Sequence, residues 1–185
     1  SQQLNEAQLK IQDTLSKSAK LEAEVNALSE ILETSNPDLW PPLIDAITVK
    51  AGLENALGAA LGDDLNAATD ESAPIHWRQL PQNTSSPTLP IGAEALSDFV
   101  KGPKALLNRL SQIGVVPDTD SGWQLIGELK QGQRLVTRDG AFWRWDGLSS
   151  TAEAPTTAAI RLQQRNRLAD ARIKLEQAHK QNHIA

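Results

Sequence analysis

The chain has 185 residues, a net charge of −5 and 39% hydrophobic residues, enough for one moderate domain with appendages. It contains no cysteine, which excludes a disulfide framework and a thiolate metal site. No apolar run approaches the roughly 20 residues of a membrane-spanning helix, so we expect no membrane partner and a cytoplasmic location. Methionine is absent even at position 1, which indicates an excised fragment or a processed chain.

Residues 1–35 predict one long helix, because the segment contains neither glycine nor proline and its apolar residues follow a heptad repeat. One heptad position holds Leu4, Ile11, Val25 and Leu32, and the position three residues later holds Ala7, Leu21 and Leu28. Nothing within the segment can bury this apolar stripe. The helix therefore requires a partner helix.

Residues 43–65 predict a strand followed by a helix. The stretch from Leu43 to Val49 is apolar and β-branched toward its end, as expected for a strand. The helix has a complete apolar stripe and a glycine stop at Gly62. Its stripe consists of Leu53, Ala56, Leu57, Ala60 and Leu61.

The opposite face of this helix carries Gly58 and Ala59, where longer polar residues would favour the helix more. One interpretation is that another backbone packs closely against this face. The alternative is a tolerated sequence accident.

The middle of the chain predicts short elements separated by a loop. Alternation over 75–80 indicates a strand, and the Pro-, Ser- and Thr-rich stretch 81–92 indicates a surface linker. A helix opens at Gly102-Pro103 and ends at Gly114. Another helix covers 121–130, with Trp123 turned inward.

Residues 133–146 predict a β-hairpin, because Asp139-Gly140 is a strong tight-turn dipeptide between two alternating segments. Arg134 shares one face of the first segment with Val136 and Arg138. Trp143 and Trp145 share one face of the returning segment.

Residues 156–185 predict a second long helix, again without glycine or proline. This arm has a charge of +4, whereas the arm 1–35 has −3 and the insert 36–155 has −6. Matched length and opposite charge favour an antiparallel coiled coil within one chain. The alternative is that each arm pairs with another molecule.

No catalytic constellation is visible. His179 and His183 have the i, i+4 spacing of a zinc site, but two ligands near a chain end make a poor one. The pair Asp63-Asp64 is explained by a turn after the helix. The five tryptophans supply core volume or, alternatively, stack on bases. The sequence thus allows an interaction module or, as the alternative, a small enzyme or ligand-binding domain inserted between two helices.

Arginines concentrate in the hairpin and at the start of the returning helix. We expect weak, salt-dependent contact with DNA phosphates without sequence preference, or else a solvated face that pairs with the acidic arm. The candidate DNA-binding residues are Arg134, Arg138, Arg161, Arg165 and Arg167.

Two stretches resemble the hinge of the structural maintenance of chromosomes (SMC) proteins, and of bacterial condensins in particular. The segment from Leu43 to Gly62, with its Ala-Leu-Gly ending, is similar to the first hinge half. The segment from Gly132 to Gly140 is similar to the Gly-x-Arg-x-Val-Thr hairpin of the second half. The family usually has paired glycines after the hairpin, whereas this chain has only Gly147 there.

The resemblance implies an α+β fold: a two-subdomain hinge over 36–155, with halves at about 36–82 and 92–155, flanked by arms 1–35 and 156–185 in an antiparallel coiled coil. It implies a homodimer that supports chromosome condensation and segregation at the nucleoid. The candidate dimer-interface residues are Gly58, Ala59, Gly62, Gly147 and Leu148.

The same resemblance implies an ATPase head, with ATP, magnesium and kleisin-type partners, elsewhere in a longer protein. This stretch of sequence has no Gly-x-x-x-x-Gly-Lys-Ser/Thr loop, so we expect no enzyme activity and no cofactor or metal here.

Overall fold

The computed structural model describes residues 2–34, 40–152 and 156–184. The chain divides into two compact units. The arm unit comprises residues 1–37 and 164–185, and the globular unit comprises residues 38–163.

The arm unit consists of two helices, α1 (Gln2–Thr34) and the greater part of α5 (Thr157–Ile184). They are antiparallel, because Glu22 contacts His179 whereas Glu24, later in α1, contacts Arg167. Leu28 is buried in this unit, as are Leu168 and Ala171 of α5. The predicted antiparallel pairing of the two arms is therefore confirmed.

The globular unit contains two small sheets. Strands β1 (Thr48–Val49) and β3 (Val100–Lys101) form an antiparallel pair. The second sheet has the order β2-β4-β5-β6-β7, in which only β4 and β5 run parallel. Its strands are β2 (Glu94–Ala95), β4 (Ile113–Val115), β5 (Arg134–Val136), β6 (Phe142–Arg144) and β7 (Ser149–Ser150). The predicted hairpin is the pair β5–β6.

Short helices cover these sheets. They are α2 (Glu54–Leu61), α3 (Leu107–Leu110) and α4 (Thr119–Leu125). Single 3₁₀ turns occur at Leu43–Ala46, Gly62–Asn66, Leu96–Phe99, Lys104–Leu106 and Ile126–Glu128.

One hydrophobic core draws on both predicted halves of the insert. It joins the apolar stripe of α2, including Leu57, to Leu96, Leu110 and Ile113 from the second half. Leu162 of α5 belongs to the same core, so the first turns of that helix lie in the globular unit. A smaller cluster surrounds Trp143 on the other face of β5 and β6.

Amide side chains fasten the predicted linker to the sheet. Gln133, which is fully buried, donates through Nε2 to the carbonyls of Pro87 and Thr88 at 3.3 and 3.0 Å. Gln112 donates to Pro87, and Asn108 donates to the carbonyl of Pro81. The linker is thus an ordered strap whose carbonyls accept hydrogen bonds from amide side chains.

Three local predictions are wrong. Residues 75–80 form no strand, and only His76 makes an isolated bridge, to Ala68, because no neighbouring strand offers a ladder. Gly114 does not end a helix but lies inside β4, where it packs against Ala93 and Leu135. Trp123 is 55% exposed and only its ring edge meets Trp143, at 5.8 Å between centroids.

The start of the predicted first strand is also wrong. Leu43 to Ala46 form a 3₁₀ turn, and the strand is confined to Thr48 and Val49. The amide of Leu43 donates to the carbonyl of Ala67 at 2.8 Å, so the apolar residues here are buried by a turn and not by a ladder.

Candidate dimer interface and basic surface

Three of the five candidate interface residues line one groove. The α2 groove, about 260 Å³ in volume, lies between α2, the β5–β6 turn and β7. Its lining residues are mostly small or polar: Asn55, Gly58, Ala59, Gly62, Asp139, Gly140, Phe142, Ser150, Thr151 and Thr156. Small residues on the floor allow a second polypeptide to approach closely.

A backbone does pack against Gly58, as the sequence predicts, and it belongs to the same chain. A Cβ at Gly58 would lie 2.6 Å from the Thr156 hydroxyl and 3.2 Å from the amide nitrogen of Ala159. The glycine therefore seats the start of α5 on α2. A Gly58→Arg substitution would disrupt this contact, so it cannot serve as a clean probe of dimerisation.

Gly147 and Leu148 lie at the opposite end of β6, in the turn that leads to β7. Gly147 has φ +96°, a conformation that favours glycine, and apart from its chain neighbours no described residue lies within 4 Å of where its Cβ would be. Leu148 is 49% exposed. The structure thus separates these two candidates from the α2 groove, and their role in an interface stays a prediction.

Two features leave hydrogen-bonding capacity at the groove. Among the described residues, β7 pairs only with β6, so Ser149 and Ser150 form an edge of the five-stranded sheet. Asn55 Oδ1 is shielded from solvent and has no hydrogen-bond partner in the part of the chain that the structure describes. Buried acceptors of this kind are rare because each one loses its hydration.

Arg134 is held within the chain. Its Nη1 donates to the carbonyl of Ala60 at 2.7 Å, and its guanidinium lies 5.9 Å from the Phe142 ring centroid. Burial, followed by the nearby charge of Arg144, lowers the pKa of Arg134 below the ordinary arginine value. This side chain fastens the hairpin to the end of α2.

The remaining candidate arginines differ in their contacts. Arg161 is paired with Asp45, with Nη2–Oδ1 at 2.6 Å, inside the globular unit. Arg167 belongs to the arm unit, where it is paired with Glu24. Arg165 has an interaction partner of its own. Arg138 is exposed and, within the described residues, makes no hydrogen bond or ion pair.

The sequence analysis misses one member of the basic cluster on the hairpin, Arg109. Arg144 lies directly opposite Arg134 on β6, and Arg109 of α3 donates through Nη1 to the carbonyl of Gly132 at 2.9 Å. Burial first, then the charge of Arg134, lowers the pKa of Arg109. Arg144 forms a bidentate pair with Asp146 at 2.6 and 2.7 Å. Arg109 lies in a separate helix, so only the pairing of β4 with β5 could have indicated this cluster.

Two kinds of feature are missing from the described part of the chain. No group of three histidine, cysteine or acidic residues in 2–34, 40–152 and 156–184 is arranged to hold a metal ion. No helix within those ranges is long and apolar enough to span a membrane.

Comparison with known proteins points to one family. Residues 36–126 match the family model of the SMC proteins flexible hinge domain. The chain is 48% identical over 177 residues to the chromosome partition protein Smc of Rhodopseudomonas palustris, covering 96% of this chain. It is 46% identical over 137 residues to the protein of the same name from Cereibacter sphaeroides, covering 73% of this chain. The chain spans only 15% and 12% of the lengths of these relatives.

The fold is similar to that of a solved hinge. The crystal structure of an asymmetric dimer of the Geobacillus stearothermophilus SMC hinge domain superposes with a TM-score of 0.73. The match covers 97% of this chain and 91% of that chain, at 15% sequence identity. At this identity the likeness shows the fold.

Proposed function

The chain belongs to the SMC family and carries its hinge domain, and on that premise we propose that its globular unit joins two copies of the chain into a homodimer. The observation that supports this most directly is the α2 groove beside the free edge of β7. Its floor of small residues admits a second backbone, and an edge strand offers unpaired main-chain groups to it. The solved relative of similar fold is itself described as an asymmetric dimer.

A hinge assignment also favours the interaction module over the enzyme domain. The surface that the globular unit offers is a groove of small residues beside the β7 edge, which is unpaired among the described residues. Main-chain groups of such an edge can pair with a second backbone that enters the groove. We therefore infer that the groove is part of the self-association surface.

The experiment is a mass measurement of the unmodified chain and of two groove variants. We expect a dimer at micromolar concentration by analytical ultracentrifugation. Ala59→Arg and Thr151→Arg each place a long cation in the groove, and a two-fold interface would contain that change twice. Both variants should run as folded monomers, with their helical circular dichroism kept.

Thr69→Arg is the matched control for Thr151→Arg, because Thr69 is exposed and lies outside the groove lining. It should stay dimeric. If both groove variants also stayed dimeric, the interface would lie elsewhere on the globular unit. If the unmodified chain were monomeric, the hinge would not self-associate on its own.

In the full-length protein we propose that this dimer joins two coiled-coil arms, with an ATPase head, its ATP and magnesium, and kleisin-type subunits at the distant ends. The support is the name and identity of the two Smc relatives, of which this chain matches a small part. Chromosome condensation and segregation, and an association with the nucleoid, are properties proposed for that whole assembly.

We propose that any DNA contact of this fragment is weak and electrostatic. The support is the exposed guanidinium of Arg138, which has no ion-pair partner among the described residues, on a chain whose net charge is −5. Labelled duplex DNA should show anisotropy changes at low salt that disappear at moderate salt and are reduced by Arg138→Glu. Binding that persisted at high salt would contradict this proposal.

A further inference from the structure

Three arginines, Arg109, Arg134 and Arg144, lie near enough to one another for their charges to interact. Arg134 and Arg144 are direct cross-strand partners on β5 and β6, so their side chains leave the same face of the sheet. Arg134 reaches the α2 carbonyl of Ala60. Arg109 is anchored to Gly132, two residues before Arg134, and experiences the charges of both other arginines.

Two of the three guanidinium groups, those of Arg109 and Arg134, have N–H donors without an acceptor among the described residues. The third, Arg144, is paired with the carboxylate of Asp146. Arg109 and Arg134 each use only Nη1, on a main-chain carbonyl, and neither makes an ion pair within the described part of the chain. The Nε of Arg134 is shielded from solvent and has no acceptor there. A guanidinium has five N–H donors, so most of the donors on both groups remain unassigned.

The surroundings supply only part of the opposing charge. Asp64 lies near enough to act on the pKa of both arginines in the upward direction, but it forms an ion pair with neither among the described contacts. The carboxyl end of a helix contributes a fraction of one negative charge. Half-buried guanidiniums are normally paired, because their desolvation is otherwise uncompensated.

We propose that Arg109 and Arg134 form a binding site for the phosphate group. A tetrahedral oxyanion accepts hydrogen bonds from two guanidinium forks at once, and its charge of about −1.5 at neutral pH compensates both cations. Neither arginine lines the α2 groove, and the proposed site does not depend on dimerisation. The phosphate is free or part of a phosphodiester, because both present negatively charged non-bridging oxygens that accept hydrogen bonds.

The first test uses the unmodified chain with ¹⁵N-labelled arginine. Inorganic phosphate, titrated at constant ionic strength against sodium chloride, should shift the Nε signals of Arg109 and Arg134 with saturation. Arg78 is the internal control, since it is an exposed arginine of the globular unit outside the cluster. Shifts of equal size at Arg78, or shifts reproduced by chloride, would overturn the proposal.

The second test uses Arg109→Gln, with Arg78→Gln as the matched change of charge. Calorimetric titration should show a phosphate affinity that falls about tenfold in Arg109→Gln, the loss expected for one charge-assisted contact. The phosphate affinity should be unchanged in Arg78→Gln. An equal loss in the two variants would mean a response to net charge and would refute the site.

A third titration identifies the source of the phosphate. The probe is a thymidine dinucleotide with a single internal phosphodiester. Competition between this probe and inorganic phosphate at the Arg109 signal supports a site for esterified phosphate. Binding of inorganic phosphate alone supports a site for the free ion. If neither probe moves the Arg109 signal, the proposal is wrong.

Discussion

At the scale of single residues, the most constrained position is Gln133. Its amide holds the strap through Pro87 and Thr88, contacts Gln112 and accepts from the amide nitrogen of Lys130 at 2.8 Å. The sequence shows a polar residue at the start of a hairpin. Its burial follows from a segment 45 residues away, which no local pattern could indicate.

Gln133→Met should lower the free energy of unfolding by about 2–4 kcal/mol, because it keeps the side-chain volume but leaves several buried partners without a hydrogen bond. Urea unfolding monitored by circular dichroism measures this change. Gln131→Met, at an exposed neighbouring position, should be neutral within about 0.5 kcal/mol. Equal stability of the two variants would show that the strap is held by other contacts.

Gly122→Ala should destabilise the globular unit by about 1–3 kcal/mol through overpacking. A Cβ at this position would lie 2.3–2.6 Å from three carbons of the rigid Trp143 ring. Gly127→Ala is the control, since nothing lies within 4 Å of its Cβ position and its φ is not in the left-handed region. Gly127→Ala should be neutral or slightly stabilising, and thermal melts followed by tryptophan fluorescence distinguish the two outcomes.

At the scale of elements, locally encoded features were predicted and features that depend on distant partners were not. The β5–β6 hairpin follows from the Asp139-Gly140 turn, and α2 follows from its apolar stripe. The alternation over 75–80 is equally regular, yet it forms no ladder. The contacts of the candidate site residues could not be predicted for the same reason. Asp45, the partner of Arg161, lies 116 residues away in the sequence.

Leu28→Asp should reduce the helical signal and lower the melting temperature of the arm unit. Leu28 is 7% exposed, so the substitution buries a carboxylate with no designed partner and should cost about 3 kcal/mol or more. Leu9→Asp supplies the contrast, because Leu9 is 66% exposed on the same helix. Thermal melts followed by circular dichroism at the helical band should show a reduced helical signal and a lower melting temperature for Leu28→Asp alone.

At the scale of the whole molecule, three carboxylates of the globular unit link its stability to pH. Hydrogen bonds from Ser72 lower the pKa of Asp70, and bonds from Ser121 lower that of Asp118 at the start of α4. The bidentate pair with Arg144 lowers the pKa of Asp146. Each folded-state pKa lies below the unfolded value, so each contribution is present above the unfolded pKa and is lost on acidification.

The globular unit should therefore lose stability progressively between about pH 5 and pH 2, as these carboxylates take up protons. The triple variant Asp70→Asn, Asp118→Asn and Asp146→Asn should show a flatter dependence over that interval. Urea midpoints measured at several pH values test this. Parallel curves for the two proteins would assign the acid sensitivity to other groups.

The two antiparallel arms lie at opposite ends of the sequence, so α1 is synthesised well before the helix with which it pairs. Glu24 and the Arg167 that contacts it are separated by 143 positions, which take roughly 7–30 s to synthesise at about 5–20 residues per second. Throughout that interval α1 is present without its partner, and it lacks the packing of its apolar face from which most helical stability in proteins comes. The globular unit lies between the two arms in the sequence, so its folding shortens the span that must close before they can meet. A variant that slows folding of the globular unit would consequently lengthen the exposure of the Leu28 stripe on the ribosome, even where the finished protein is equally stable.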